Sequence, residues 1–123
     1  KNWRTHMTLE RIGAGNRMTS AIVHDGKVYM SGFVADKAAG DSVAAQTADI
    51  LAQIDATLAK AGSDKTKVIR ATIWLTDMDT WAEMNTVWDK WVVAGETPCR
   101  AAVHSPKLAA PGLDVEIQVE AVI

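Results

Sequence analysis

Arg100 is the residue whose type and setting point most directly to chemistry. It lies in the segment TPCRAAVH, at the start of a run that is otherwise small and apolar. The planar guanidinium group matches a carboxylate through two parallel hydrogen bonds, so arginine is the usual residue for holding this anion. In an extended strand Arg100, Ala102 and His104 share a face, and the small Ala102 leaves room for a ligand. These residues leave two interpretations open: a carboxylate anchor, and a surface charge at a strand end.

Cysteine and histidine give weaker signals. Cys99 precedes Arg100, and a nearby cation can lower a thiol pKa, but adjacent side chains in a strand face opposite ways. We therefore expect Cys99 to be a buried structural cysteine. The three histidines, His6, His24 and His104, are far apart and have no cysteine or histidine at ligand spacing, which predicts no metal site. Sequence motifs for a catalytic serine, a zinc protease, a phosphate-binding loop or a dinucleotide are missing.

The composition is typical of one soluble globular domain over residues 1–123, with 48% hydrophobic and 23% charged residues. The net charge is −2, the pI is about 5.9 and basic residues are scattered, which disfavours nucleic-acid binding. No stretch is long and apolar enough for a membrane span, and KNWRTHMTLE contains no signal core. The single cysteine suits a reducing cytoplasm. We interpret residues 1–6 as a non-native or disordered extension.

The hydrophobic pattern predicts the element order β-β-β-α-β-α-β-β. A first strand over residues 7–13 precedes two β-rich runs that meet at Asp25-Gly26, a pair typical of tight hairpin turns. The third strand is expected to place Tyr29 and Phe33 on one face. Two further strands, over residues 99–105 and 114–122, close the chain.

Both helices are predicted from apolar stripes at helical spacing. Ser42 is an N-cap candidate for the first helix, which should stop at Gly62. Its buried stripe comprises Val43, Thr47, Ile50, Leu51, Ile54 and Leu58. The second helix covers about residues 80–94, begins after Asp77 or Asp79, and carries a stripe that we assign to core packing: Trp81, Met84, Trp88 and Trp91.

These elements indicate an α+β fold whose sheet is apolar on both faces. The strand VIRATIWLT presents Ile69, Ala71, Ile73 and Leu75 on one face, with Trp74 on the other. Two helices can cover only one face of such a sheet. The pattern therefore predicts self-association through the other face, without fixing the number of copies.

Several segments resemble the RidA (YjgF) family of enamine/imine deaminases: SGFVAD, LAQIDATLAKAGSDKTKVIRATIWLTDM, WAEMNTVWDKWV, TPCRAAV and VEIQVEAV. They occur in family order from about Met18 to the end, and WVVAG is most similar to the YoaB-like branch. The resemblance implies a chorismate-mutase-like fold with two helices on one sheet face, and a homotrimer with a central barrel and clefts between subunits. It implies hydrolysis of reactive 2-imino or 2-enamino acids to 2-keto acids and ammonia, with no metal or organic cofactor.

The resemblance also implies the site residues. Arg100 matches the arginine that binds the substrate carboxylate. Ser31 in YMSG and Asn85 in MNTVW match residues that line the same cleft. Ala102 stands where the family has a cysteine, and Met18 falls near the position of a substrate-contacting tyrosine.

Gln118 departs from the family pattern, because it occupies the place of the glutamate that orients or activates the attacking water. Glutamine can hold a water by hydrogen bonds but cannot act as a general base. A register shifted by two residues would put Glu116 or Glu120 there, since the three side chains share a strand face.

The resemblance leads to imine hydrolysis as the working hypothesis, with Arg100 as the carboxylate clamp. A second hypothesis is a non-catalytic homotrimer that binds or senses small 2-keto acids, having lost the glutamate at position 118. Ribonuclease activity, a third hypothesis, is disfavoured by the acidic pI and by the absence of a histidine pair or a basic stripe.

Overall fold

The computed structural model describes residues 8–123, so the interpretation of residues 1–6 lies outside the described residues. A seven-stranded mixed sheet packs two helices against one face, which confirms the α+β prediction. The strands are β1 (Glu10–Ala14), β2 (Thr19–His24), β3 (Lys27–Met30), β4 (Phe33–Val34), β5 (Val68–Leu75), β6 (Cys99–His104) and β7 (Val115–Val122). The helices are α1 (Val43–Lys60) and α2 (Trp81–Trp91).

The sheet has the order β1-β2-β3-β7-β5-β6, with β4 also paired to β7. All pairs are antiparallel except β5–β6, whose parallel pairing leaves β6 at the edge of the sheet. Strand β7 alternates as predicted: Val115, Ile117 and Val119 are buried under the helices, while Gln118 is exposed on the other side. We call the side without helices the open face. Among the described residues, neither helix is long and apolar enough to span a bilayer.

The hairpin between β2 and β3 forms as predicted. Asp25 and Gly26 take the positive φ values of 51° and 75° that a tight turn of this kind requires. Helix α1 also agrees with its sequence signals. Ser42 accepts a hydrogen bond from the Ala45 amide at 3.1 Å, and Gly62 ends the helix with φ of 80°. All residues of the predicted α1 stripe are buried.

Two strand predictions are wrong. In each case a bulge or a break in the strand changes the face of the sheet on which the side chain lies. A bulge between Val68 and Arg70 turns Ile69 outward, where it is 46% exposed, and gives its expected inward place to Val68. The third strand ends at Met30, and Phe33 belongs to β4, where it lies opposite Ile117 and packs against the core. A single extra residue reverses the facing of everything after it, because strand side chains alternate.

The second helix is shorter than predicted. A turn of 3-10 helix, capped by Asp77, precedes α2, which ends at Trp91 and not near residue 94. Met84, Trp88 and Trp91 are buried as predicted, but Trp81 at the first position is 45% exposed. The apolar stripe therefore includes one residue, Trp81, that does not pack in the core.

Candidate functional site

Arg100 is held by two residues of α2. Its Nη1 donates a hydrogen bond of 2.7 Å to Oδ1 of Asn85. Its guanidinium carbon lies 5.2 Å from the centroid of a Trp88 ring, within the range of a cation–π contact. A surface charge at a strand end would not be fixed on two sides in this way. The guanidinium is therefore oriented by the protein, and its role as a carboxylate anchor stays a prediction.

Strand pairing explains why Arg100 meets α2. In the parallel pair β5–β6, Arg100 lies opposite Ala71, which is fully buried beneath the helices. Asn85 and Trp88 are three residues apart and so share one side of α2. Ala102 is on the Arg100 side and packs against the core, as the period of two predicts. We call Arg100, Asn85, Trp88 and Ala102 the arginine cluster.

Cys99 faces away from Arg100, as expected, but it is exposed, so the prediction of a buried cysteine is wrong. It lies on the open face at the edge strand, where no further strand within residues 8–123 covers it. A cavity of about 280 Å³ lies at the start of β6. It is lined by Arg70, Ala71, Thr72, Cys99, Arg100 and Ala101. The strand start that carries Arg100 therefore borders open space.

The other predicted site residues lie together elsewhere. Met18 and Ser31 line a cavity of about 170 Å³ between the start of β2 and β4. The Ser31 hydroxyl donates a 2.7 Å hydrogen bond to the Thr19 carbonyl, so only its oxygen lone pairs remain for a ligand. Gln118 donates from Nε2 to the carbonyl of Met30, the residue before Ser31, at 3.0 Å. We call Met18, Ser31 and Gln118 the serine cluster.

The sheet separates Arg100 from Gln118. Arg100 projects to the helix side, whereas Gln118 projects to the open face from β7. Strand β5 lies between β7 and β6, so the backbones that carry Gln118 and Arg100 are about 10 Å apart at the usual strand spacing. One chain therefore brings the predicted site residues together in two groups and does not join them.

Glu116 lies on β7 two residues before Gln118 and approaches Gly32. A methyl group added at Gly32, the neighbour of Ser31, would come within 2.0 Å of Glu116 Oε2, so this oxygen lies against the Gly32 backbone. Burial raises the pKa of the Glu116 carboxyl above its usual range. Within residues 8–123, no group of three or more histidine, cysteine or acidic side chains converges as metal ligands would.

Sequence reasoning assigned Trp88 to the core alone and missed its contact with Arg100. The available signal was the spacing of three between Asn85 and Trp88, which puts an aromatic ring beside the asparagine on one side of the helix. Glu116 was considered only as a substitute in a shifted register. Its contact with Gly32 arises from the pairing of β4 with β7, which the sequence did not predict.

Comparisons with known proteins cover nearly the whole chain. A family profile described as "Endoribonuclease L-PSP" matches residues 8–123. The RutC family protein YoaB of Escherichia coli strain K12 is 42% identical over 117 residues, which are 95% of this chain and 100% of that protein. A RutC family protein of Haemophilus influenzae is 37% identical over 113 residues, 92% of this chain and 97% of that protein. The crystal structure of a YjgF family member from Neisseria meningitidis is 47% identical, with a TM-score of 0.91 over 95% of this chain and 96% of that one.

Proposed function

Because the chain belongs to the endoribonuclease L-PSP family, also called YjgF or RidA, we propose that it hydrolyses reactive 2-imino and 2-enamino acids. The products are 2-keto acids and ammonia. The similarity to YoaB agrees with the branch inferred from WVVAG. The proposal includes a cytoplasmic location and requires no metal or organic cofactor.

The observation that carries the proposal is the way Arg100 is held. Asn85 accepts from Nη1, and among the described residues no other side chain or carbonyl accepts from the guanidinium. The Nε–Nη2 edge therefore has two parallel N–H groups for a carboxylate. Trp88 supports the guanidinium plane and restricts its rotation. A small 2-imino acid held at this edge would have its imine carbon at a fixed distance from the arginine.

Imine hydrolysis requires few other contributions from the protein. Imines hydrolyse without a catalyst, so positioning the substrate and a water contributes most of the acceleration. In this proposal Gln118 holds the water through its free Oε1, since Nε2 is bonded to Met30. Main-chain groups between Arg100 and Ala102 bind the substrate nitrogen from the unpaired side of the edge strand. Ser31, Met18 and Ala102 shape the space for the substrate side chain.

The arrangement of the clusters supports a homotrimer with sites between subunits. Within one chain the sheet lies between Arg100 of the arginine cluster and Gln118 of the serine cluster. A cleft formed by two copies can bring the arginine cluster of one against the serine cluster of the next. The open face, with Tyr29 44% and Val103 40% exposed, provides the apolar surface for such an assembly.

A specific observation also favours a second candidate, a homotrimer that binds 2-keto acids without catalysis. Position 118 carries an amide that cannot accept a proton from water. In that case a 2-keto acid would raise the melting temperature of the wild type, and Arg100→Ala would lose the effect. The same preparation would show no imine turnover.

RNA cleavage has to be separated from imine hydrolysis, because the matching profile is described as an endoribonuclease. His24 in β2 and His104 in β6 are separated by β3, β7 and β5. This corresponds to about 19 Å at the usual spacing, too far for an acid–base pair in one chain. The acidic pI also disfavours RNA binding.

The test generates 2-iminopropanoate in situ from alanine with an amino-acid oxidase and follows its loss by trapping with semicarbazide. Wild type should accelerate the loss, and Arg100→Ala should not. Arg11→Ala is the matched control, because Arg11 lies exposed on β1 at the opposite edge of the sheet. The proposal is wrong if wild type is no faster than buffer, or if Arg100→Ala equals wild type.

A further inference from the structure

We propose that the space between α1 and α2 is a further binding site, which takes a small aromatic monocarboxylate. We call this space the helix groove; it has a volume of about 290 Å³. It shares no lining residue with the cavity at the start of β6 or with the cavity that contains Ser31. The proposal is therefore independent of imine hydrolysis. Three features carry it: the shape of the groove, an indole ring fixed in its wall, and two ammonium groups without a carboxylate partner.

The helix groove is formed by residues at helical spacing on both helices. Its α1 wall has residues at positions i, i+3, i+4 and i+7, which share one side of a helix: Ala48, Leu51, Ala52 and Asp55. Its α2 wall repeats the spacing i, i+3 and i+4 with Val87, Lys90 and Trp91. Ala48 and Ala52 are exposed and small, so an open space remains where larger side chains would fill the gap between the helices.

The apolar lining of the helix groove includes an indole ring that is held in place. Leu51 and Trp91 are buried, and Val87 is partly buried. Trp91 Nε1 donates a hydrogen bond of 3.0 Å to Oδ1 of Asp55, and its ring lies 5.2 Å from that of Trp88. A side chain that is already fixed loses little further freedom when a ligand binds. A flat aromatic ring fits such a groove, since it can pack beside an indole in an offset or edge-to-face arrangement.

The charges of the helix groove favour an anion. Lys90 of α2 and Lys65, from the 3-10 turn after α1, line it together with the carboxylate of Asp55, which gives a local charge of +1. Within residues 8–123, no carboxylate lies at ion-pair distance from either ammonium group. Lys65 Nζ lies instead 6.0 Å from the centroid of a Trp91 ring. The Asp55 carboxylate already accepts the Trp91 hydrogen bond. One carboxylate on a ligand would therefore balance the charge of the groove.

The size of the helix groove limits the ligand to a small molecule. A volume of about 290 Å³ lies at the lower end of the range for ligand sites and is too small for a peptide helix. Phenylacetate fits this space, because its benzene ring is joined to one carboxylate through a single methylene group. We expect a Kd of about 1 mM, since a ligand of about ten heavy atoms in an open groove gains only a modest binding free energy.

The test is a titration of the ¹⁵N-labelled whole chain with phenylacetate, followed by NMR. The indole N–H signal of Trp91, assigned by its loss in Trp91→Phe, reports on the groove because this group is bonded to Asp55. It should shift and saturate. Phenylacetamide, which has the same shape without the charge, should bind about fivefold more weakly, and so should phenylacetate to the double variant Lys65→Gln/Lys90→Gln. Lys107→Gln is the matched control, because Lys107 lies in the β6–β7 loop and does not line the groove.

Binding at Arg100 has to be distinguished from binding in the helix groove. Arg100 is itself proposed to hold a carboxylate, and it contacts Trp88, whose ring lies against Trp91. Arg100→Ala should therefore keep its phenylacetate affinity within about twofold of the wild type. A Trp91 shift that disappears in Arg100→Ala would place the ligand at the arginine cluster and overturn the proposal. The proposal is also wrong if the Trp91 signal does not move with phenylacetate, or if the double lysine variant binds it as tightly as the wild type.

Discussion

Asn85 and Arg100 form the shortest link between α2 and the edge strand β6, with 2.7 Å between Oδ1 and Nη1. The asparagine oxygen uses one N–H group of the guanidinium without neutralising its charge. The arginine is thereby fixed in direction, and its positive charge is not compensated by this contact. The proposed carboxylate site requires this combination, which an internal salt bridge would not provide.

Replacing Asn85 with aspartate should convert this site into such a salt bridge. The new carboxylate would face Nη1 at the same distance and compete with the ligand for the charge of Arg100. We expect pyruvate affinity in Asn85→Asp to fall about tenfold, equivalent to about 1.4 kcal/mol. Isothermal titration calorimetry measures the change. The pyruvate affinity of Asn85→Ala, which loses the contact but adds no charge, should fall less. Equal losses of affinity in the two variants would contradict the charge argument.

Trp88 should contribute to both stability and ligand binding. It is 5% exposed, and its ring lies 5.2 Å from that of Trp91. Trp88→Leu removes part of a core aromatic and should lower the free energy of unfolding by about 3 kcal/mol. It should also weaken pyruvate binding, because Arg100 loses its supporting ring. Urea unfolding and calorimetry test the two effects, and Trp88→Phe, which keeps an aromatic face, should show the smaller change in each.

Gln46 fixes the loop that joins β6 to β7. This buried side chain donates from Nε2 to the carbonyls of Asp41 and Gly112, and its Oε1 accepts from the Asp114 amide at 2.9 Å. Gln46→Leu would leave three partly buried backbone groups without this partner, and an unpaired group that is buried costs about 1–3 kcal/mol. We expect at least about 2 kcal/mol of lost stability in urea unfolding. Thr86→Val, on the exposed side of α2, is the control that should change little.

Asp49 should make stability depend on pH in the acid range. Partial burial alone would raise its pKa, but hydrogen bonds from the Ala38 and Asp36 amides and from Gln53 lower the pKa below 3.8. The unfolded chain therefore binds the proton more readily than the folded chain does. The contribution of ionised Asp49 to the free energy of unfolding is thus present above the ordinary carboxyl pKa and is lost as pH falls below it. The stability difference between wild type and Asp49→Asn should shrink from pH 6 to pH 2.5. Asp89→Asn, at an exposed position of α2, is the control for removing a surface carboxylate.

Local signals predicted the parts of the fold that depend on neighbours in sequence. The Asp25-Gly26 turn and the Ser42 cap each need only a few adjacent residues, and both are present. The errors at Ile69 and Phe33 arise where a bulge or a break in a strand reverses the facing of side chains. Strand periodicity cannot reveal such a break, because the broken strand keeps its composition.

The site was predicted as a set of residues but not as a geometry. Periodicity within a strand correctly placed Arg100 and Ala102 on one side of β6. It has no bearing on whether Gln118, in another strand, shares that side. The relation between strands depends on their register, and here the register puts Arg100 beneath α2 and Gln118 on the open face.

The central position of β7 has a consequence for how this protein is made. This strand follows every other described strand in sequence, yet it pairs with β3, β4 and β5 and joins the two halves of the sheet. Lys27, for example, finds its partner only when Val122 has left the ribosome. A nascent chain can form its first hairpin and α1 early but has no complete core until synthesis reaches β7. Its apolar strands are therefore exposed to chaperones and to aggregation until β7 has been made.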